Sequence, residues 1–198
     1  FTSASVSLDR RFGPLSLAVK GSQLSEKETV LGARFGAMLG APGSVTRQFS
    51  VDGNFASPGG WALRGRWQQG WTRISAGGVR PASDHLISSA WSFDATRDGM
   101  FLSGDRFGLR LAQPVRVASG GLTVELPVAW DYATSSAQTA VRRINLAPSG
   151  REIDAEALYA VPLWAGSLST SVYWRKDPGH FAAAPDDAGA ALRFGMAF

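Results

Sequence analysis

The chain has 198 residues, with 20 Lys and Arg against 16 Asp and Glu, and it contains no cysteine. This length fits a single domain, 1–198, and a β-barrel of this size is ordinary as one unit. The net charge of +4 comes from basic residues scattered singly or in pairs, so nucleic acid is not an expected partner. No stretch approaches the roughly 18 apolar residues of a membrane-spanning helix.

Alternation with a period of two, rather than helical spacing, recurs along the chain. Large apolar residues alternate with small, polar or charged ones, and turns rich in Gly, Pro, Ser, Asp or Asn separate the alternating segments. Longer loops are expected at 74–85 and 177–187. The pattern predicts about twelve strands, at 2–12, 15–20, 31–39, 45–52, 61–72, 87–93, 106–111, 122–131, 139–146, 152–161, 167–175 and 189–198.

Each predicted strand has one face of large apolar residues and one face of small, polar or charged residues. In 61–72, for example, Trp61 and Leu63 oppose Arg64 and Arg66. A soluble β-sandwich would bury the apolar face, whereas a membrane barrel would turn it towards lipid. Two features favour the barrel. The charges change sign from strand to strand, and the face opposite the large apolar residues often carries Ser, Gly or Ala. We therefore predict an all-β fold, a transmembrane antiparallel up-and-down β-barrel in the bacterial outer membrane, with outer-membrane lipid around it. The soluble sandwich remains the alternative.

The barrel interpretation assigns the charged residues to the lumen and the aromatic residues near strand ends to girdles at the membrane surfaces. The predicted lumen-lining residues are Arg64, Arg66, Arg106, Arg110, Glu125, Asp131, Glu152, Asp154, Glu156, Arg175 and Arg193. The predicted girdle residues are Trp61, Trp71, Trp91, Trp130, Tyr159 and Trp174.

The last ten residues, GAALRFGMAF, alternate strictly and end on an aromatic residue. An exposed apolar edge strand would be an aggregation hazard for a soluble domain, but a strand that closes a barrel has no free edge. We therefore predict that this segment closes the barrel. Leu192, Phe194, Met196 and the terminal Phe198 then face lipid and form an assembly signal, while Arg193 faces the lumen.

The sequence offers few residues for chemistry. His85 follows Asp84 at the end of a loop, where a rim-located enzyme could use it, and His180 lies in a predicted turn. Asp186 and Asp187 could bind a cation weakly. No Cys/His cluster with metal spacing, nucleophile motif or phosphate-binding loop is present. We expect no catalytic site, no cofactor and no metal.

Three runs in the second half of the chain resemble one known family. They are GDRFGLRLAQPVRVASGGLTVELPVAWDYA (104–133), INLAPSGREIDAEALYAVPL (144–163) and YWRKDPGHFAAAPDDAGAALRFGMAF (173–198). The family is the carboxyl-terminal translocator domain of autotransporters, of the kind attached to subtilisin-like serine peptidases in sphingomonad-type proteobacteria.

The resemblance implies a twelve-stranded barrel that anchors or exports an amino-terminal passenger, with the passenger or a linker segment in the lumen. It also implies folding by the barrel-assembly machinery, which reads the final strand. The peptidase triad would belong to the passenger, and none of its residues can be assigned here. Because the chain begins at Phe1 rather than Met, we expect a processed product or part of a longer protein. A small porin or a structural barrel with envelope partners is the alternative function.

Overall fold

The computed structural model describes residues 1–34, 43–75, 79–82 and 85–196. The fold is all-β, with 74% of residues in strands. In chain order the strands are β1 Thr2–Phe12, β2 Leu15–Glu26, β3 Thr29–Val30, β4 Ala33–Arg34, β5 Ser44–Ala56, β6 Trp61–Ile74, β7 Val79–Pro81, β8 Leu86–Asp98, β9 Arg106–Ser119, β10 Gly121–Asp131, β11 Ser136–Asn145, β12 Ile153–Leu163, β13 Gly166–Lys176 and β14 Asp187–Met196. A 3-10 turn, Pro178–His180, precedes β14.

Nine strands form one antiparallel sheet in the order β1-β2-β5-β6-β8-β9-β12-β13-β14. The sheet is a meander, because its strands are neighbours in the order in which they follow one another along the chain. Three insertions interrupt that order in the sequence but do not enter the sheet. One insertion holds the small β3–β4 hairpin, one holds β7, and one holds the β10–β11 hairpin, which pairs with β7 in a separate three-stranded sheet. Among the described residues, β1 pairs only with β2 and β14 only with β13.

The connections of the nine-stranded sheet are short at one end and long at the other. The short ones are 13–14, 57–60, 99–105 and 164–165, and we call this the short-turn end. The long ones are 27–43, 75–85, 120–152 and 177–186, at what we call the long-connection end. All three insertions therefore lie at the same end of the sheet.

The register of the ladder gives the sheet two chemically different faces. Paired residues of antiparallel strands point to the same side, so a rung such as Leu63, Ala95, Leu109 and Ala157 defines one face. We call it the apolar face; it also carries Leu17, Val51, Trp67, Phe93, Leu111, Val172, Leu192 and Phe194. The opposite, polar face carries Ser16, Asn54, Arg64, Asp94, Arg110 and Glu156 on one rung.

No second layer of the described chain covers the apolar face. Phe93 is 47% exposed, Val172 52% and Leu192 72%. The chain exposes 12969 Å², whereas a compact monomer of its mass exposes about 9,000 Å². The excess is what an open sheet leaves uncovered.

The described hydrophobic core is small and lies at the long-connection end of the polar face. Ile74 and Leu86, at the ends of β6 and β8, pack against Val30, Leu122 and Val124. The base of the β10–β11 hairpin thus covers this end of the polar face, while the rest of the hairpin is largely exposed.

The sheet curls towards its polar face. A cavity of about 440 Å³ is lined by Leu24 on β2, Gln68 on β6 and Val117 on β9. Because three strands separate β2 from β9 in the sheet, side chains from both can line one cavity only if the sheet bends around it.

The structure confirms the all-β, antiparallel prediction, and it changes the arrangement of three predicted strands. The segments 122–131 and 139–146 form a separate hairpin rather than part of the meander, so that β9 pairs directly with β12. The segment 31–39 begins with a turn, since Leu31 and Gly32 have positive φ; residues 35–39 lie outside the described residues. Alternation reports which residues share a face, but it does not report which strands are neighbours.

Candidate functional site

The polar face carries a ladder of opposite charges from strand to strand. Across one rung Arg64 pairs with Asp94, Asp94 with Arg110, and Arg110 with Glu156. The closest atoms of Arg110 and Asp94 are 3.4 Å apart. Opposite charges on facing positions stabilise neighbouring strands by about 0.2–1 kcal/mol per pair. The ladder therefore gives a polar, hydrated surface with little net charge rather than a binding site for one sign of charge.

Most predicted lumen residues lie on this face. By register these are Arg64, Arg66, Arg106, Arg110, Asp154, Glu156, Arg175 and Arg193. The sequence interpretation missed two acids that complete the ladder, Asp94 and Asp98, although Asp94 lies between the apolar residues Phe93 and Ala95 on β8. Asp98 accepts a hydrogen bond from Arg106 Nε at 2.6 Å.

Three predicted lumen residues lie outside the strands of the nine-stranded sheet. Glu125 and Asp131 belong to β10, in the separate hairpin, because that strand leaves the meander. Glu125 accepts a hydrogen bond from the Thr139 hydroxyl. The backbone N–H of Ala133, at 2.9 Å, lowers the pKa of Asp131 below its usual range, since the bond favours the charged carboxylate. Glu152 precedes β12 and is buried, and its carboxylate lies 3.2 Å from Arg175 Nε of the polar face.

Five of the six predicted girdle residues lie on the apolar face of the sheet. Trp61 and Tyr159 are near the short-turn end, Trp71 and Trp174 lie towards the long-connection end, and Trp91 pairs with Trp67 in mid-sheet. Ten residues separate Trp61 from Trp71 on β6, a span of about 33 Å along the strand. At a tilt of about 40° this projects to about 25 Å, the height of the apolar band of outer-membrane barrels. Trp130 lies on β10, outside this band.

A buried carboxylate organises the short turn 99–105. Asp105 accepts hydrogen bonds from the backbone N–H groups of Met100, Phe101 and Leu102, at 2.7 to 2.9 Å, and from the Tyr159 hydroxyl. Burial alone would raise the pKa of Asp105, but these bonds outweigh it and hold the pKa below the usual range. The Phe101 ring meets Tyr159 edge-on, so the turn adds a further aromatic residue to this end of the apolar face.

Hydrogen bonds around His180 join two of the long connections, 120–152 and 177–186. Its Nδ1 accepts a hydrogen bond from Glu152 N–H at 2.9 Å, and its Nε2 lies 3.1 Å from the Val115 carbonyl oxygen. Nδ1 must therefore be unprotonated, while Nε2 carries the hydrogen and donates it. The His180 carbonyl accepts from Gly150 N–H at 2.8 Å, and Glu152 in turn accepts from Gly179 N–H at 2.7 Å. We call this group of contacts the His180 latch.

The latch occupies an edge of β9 that β12 leaves free, because β12 pairs with β9 only as far as Ala112. It is held in a costly backbone conformation, with Asp177, Gly179 and His180 all at positive φ. The latch joins two sequence motifs, LAPSGRE and DPGH, that lie far apart along the chain. The sequence interpretation took the second as a turn, and a histidine in a Pro-Gly turn gives no sign of its burial.

The remaining candidate residues are used within the structure. Asp186 accepts a hydrogen bond from Trp174 Nε1 at 3.2 Å, and Asp187 lies 3.8 Å from Arg175. His85 is partly buried just before β8, and Asp84 lies outside the described residues. In the described part of the chain, no group of three or more His, Cys, Asp or Glu side chains is placed to hold a metal ion. No helix there is long and apolar enough to cross a bilayer.

The final strand presents its predicted apolar positions on the apolar face. Leu192, Phe194 and Met196 are 72%, 44% and 47% exposed, and Phe194 meets Trp164 edge-on. Phe198 lies outside the described residues, so its role as an assembly signal stays a prediction.

Comparisons of this chain with protein-family models, curated proteins and solved structures gave no match.

The His180 latch predicts the effect of removing the imidazole ring. His180→Ala leaves the buried Glu152 N–H without a partner, at a cost of about 1–3 kcal/mol, and removes the part-buried contact to the Val115 carbonyl. We expect faster hydrogen exchange at the Gly150 and Glu152 amides and earlier proteolysis within 146–152. Ser149→Ala is the control, because it removes only the exposed bond from Ala182 N–H. Unchanged protection of both amides in the His180 variant would show that the ring does not hold the two connections together.

Proposed function

We propose that the chain forms the wall of an outer-membrane β-barrel that anchors or exports an amino-terminal passenger. The uncovered apolar face is the observation that supports insertion into the membrane. Water disfavours apolar surface by about 25 cal/mol for each Å², and soluble monomers seldom leave more than a few hundred Å² in one patch. Lipid removes that penalty, and a β-sheet closed into a barrel, which leaves no unpaired edge, is one of the two structures that can cross a bilayer.

The asymmetry of the connections supports the same proposal and gives it an orientation. Outer-membrane barrels have short turns on the periplasmic side and longer loops outside. The short-turn end then faces the periplasm, and the insertions, the hairpin and the His180 latch lie outside the cell.

The direction of the edge strands restricts how the wall closes. Because the meander has nine strands, β1 and β14 run in the same direction, so pairing them directly would join parallel strands. A second copy in the same orientation would also bring β1 against β14 in parallel. An all-antiparallel wall needs an odd number of further strands.

The translocator role, the subtilisin-like passenger and the barrel-assembly machinery rest on the sequence resemblance. One structural observation favours this role over the alternative of an open porin. The base of the β10–β11 hairpin packs on Ile74 and Leu86 at the long-connection end of the polar face, where a porin needs a clear aqueous mouth.

Adjacent substitutions on β8 test the membrane proposal. Phe93, on the apolar face near the middle of the strand, should tolerate Lys poorly, because a lipid-facing Lys near the midplane costs about 2–4 kcal/mol. Ser92→Lys places the same charge on the polar face and should fold normally. The measurements are cell fractionation and the heat-modifiable mobility of the folded barrel on gels. Recovery of the wild-type chain in the soluble fraction, or equal assembly of both variants, would refute membrane insertion.

The sequence of the gene upstream of Phe1 tests the identity of the proposed passenger. We expect a reading frame for a subtilisin-like serine peptidase upstream of Phe1 and in phase with it. Surface proteolysis of intact cells should then release the peptidase and leave the barrel protected. If another class of domain, or none, is encoded there, the barrel is not the translocator of such a peptidase.

A further inference from the structure

Acids and cations are distributed differently between the two faces of the nine-stranded sheet. By register, every acid of its strands lies on the polar face: Asp9, Glu26, Asp52, Asp94, Asp98, Asp154, Glu156 and Asp187. The apolar face carries cations near the strand ends instead. Those towards the short-turn end are Arg10 and Arg97, and those towards the long-connection end are Arg47, Arg73, Arg116 and Lys176. The apolar face therefore has a positive margin at each end.

The ion pairs of the sheet lie on the polar face, whereas Arg47 and Arg73 of the apolar face have none. Arg66, for example, lies 3.5 Å from Asp52 across the β5–β6 ladder. None of the ion pairs within the described residues includes Arg47 or Arg73. Both residues are exposed. An anion that neutralises them therefore comes from outside the described chain.

Arg47 and Arg73 are diagonal neighbours on the apolar face. In the β5–β6 ladder Arg47 faces Trp71, and Arg73 follows Trp71 by two positions on the same side of β6. Diagonal neighbours are about 7–8 Å apart, so two long side chains placed in this way can reach one anion. Arg47 Nε donates a hydrogen bond to Gln23 Oε1 at 3.3 Å, which leaves its Nη groups for another acceptor. Two like charges this close repel each other, and an anion between them removes the repulsion.

We propose that Arg47 and Arg73 bind the phosphate of an anionic membrane lipid between their guanidinium groups. The inference rests on the proposed membrane function, which places this end of the apolar face at the outer surface of the bilayer. Guanidinium groups bind phosphate through charge-assisted hydrogen bonds. Cations at a membrane surface also attract anionic lipids in preference to neutral ones.

The surface next to the two arginines fits the remainder of a lipid. Phe49 and Trp67 lie on the same face towards mid-sheet, and their rings meet edge-on with centroids 6.3 Å apart. They are 37% and 41% exposed, so the acyl chain of a bound lipid lies over them. An acidic peptide would bring polar backbone groups onto these rings, and a free phosphate would leave them uncovered. A lipid supplies both the anion and the hydrocarbon.

The cations at the short-turn end make different contacts and provide a control. Arg10 lies over the Phe12 ring at 5.2 Å, and Arg97 lies over the Trp61 ring at 5.6 Å. Each of them is therefore matched to an aromatic ring rather than to a second cation. Removing Arg97 together with Lys20, a cation on the polar face of β2, lowers the net charge as much as removing Arg47 and Arg73 does.

The test uses the protein isolated from its own membranes in a non-ionic detergent. The probes are phosphatidylglycerol and phosphatidylcholine with the same acyl chains, because both carry a phosphate but only the first has a net negative charge. Bound lipid is counted by native mass spectrometry over a concentration series. We expect phosphatidylglycerol to bind about tenfold more tightly than phosphatidylcholine.

Matched variants assign this preference to the two arginines. The combined Arg47→Gln and Arg73→Gln variant should lose most of the preference, and the combined Arg47→Lys and Arg73→Lys variant should retain most of it. The combined Arg97→Gln and Lys20→Gln variant is the control and should bind both lipids as wild type does.

Equal binding of the two lipids by the wild-type protein, or an equal loss of preference in the Gln pair and in the control, would overturn the proposal. Displacement of phosphatidylglycerol by an equal concentration of inorganic phosphate would overturn the choice of a lipid. Fractionation of the same cells separates these results from failure of the membrane proposal. A membrane-embedded protein without the preference refutes the site alone, whereas a wild-type protein in the soluble fraction refutes both.

Discussion

The backbone ladder of the nine-stranded meander determines which side chains lie on each face of the sheet. Hydrogen bonding between strands keeps facing residues on one side, so a single register sends the charges to one face and the large apolar side chains to the other. A shift of one residue in any strand would exchange its two faces. The side-chain ion pairs of the polar face, at about 0.2–1 kcal/mol each, are too weak to impose this arrangement and follow from it.

The consequence of that register is an apolar surface that the described chain does not cover. The small core formed by Val30, Ile74, Leu86, Leu122 and Val124 lies on the opposite face and at one end. Stability in such a protein must come from the ladder and from the medium around the apolar face. The proposals of a lipid environment and of a lipid phosphate between Arg47 and Arg73 both follow from this uncovered face.

The long-connection end holds the features that distinguish this chain from a plain meander. The hairpin base packs on Ile74 and Leu86, and the His180 latch ties the connection before β12 to the one before β14. Both depend on contacts between segments distant in sequence. The short-turn end, in contrast, is organised locally, by Asp105 and the backbone N–H groups of its own turn.

Sequence alternation was sufficient for features that depend on local periodicity, and insufficient for features that depend on partners. The turn at 13–14 and the faces of Trp61, Arg64 and Arg110 follow from a period of two. The separate hairpin could not be foreseen, because Leu122 and Val124 alternate in the same way whether β10 pairs with β9 or with β7. Nor could the burial of His180, since its partners are backbone groups at 115, 150 and 152, which leave no mark in composition. The co-occurrence of LAPSGRE and DPGH was the available signal, and the structure shows these motifs in contact.

The central claim is that the apolar face contacts lipid while the polar face contacts water. The chain has no cysteine, so single cysteines can be introduced at 91 to 96 along β8 and tested in native membranes with a membrane-impermeant maleimide. The account predicts labelling that alternates strictly: reaction at 92, 94 and 96, and protection at 91, 93 and 95 until the membrane is dissolved. Equal labelling at consecutive positions, or reaction of the 93 and 95 variants in intact membranes, would contradict it.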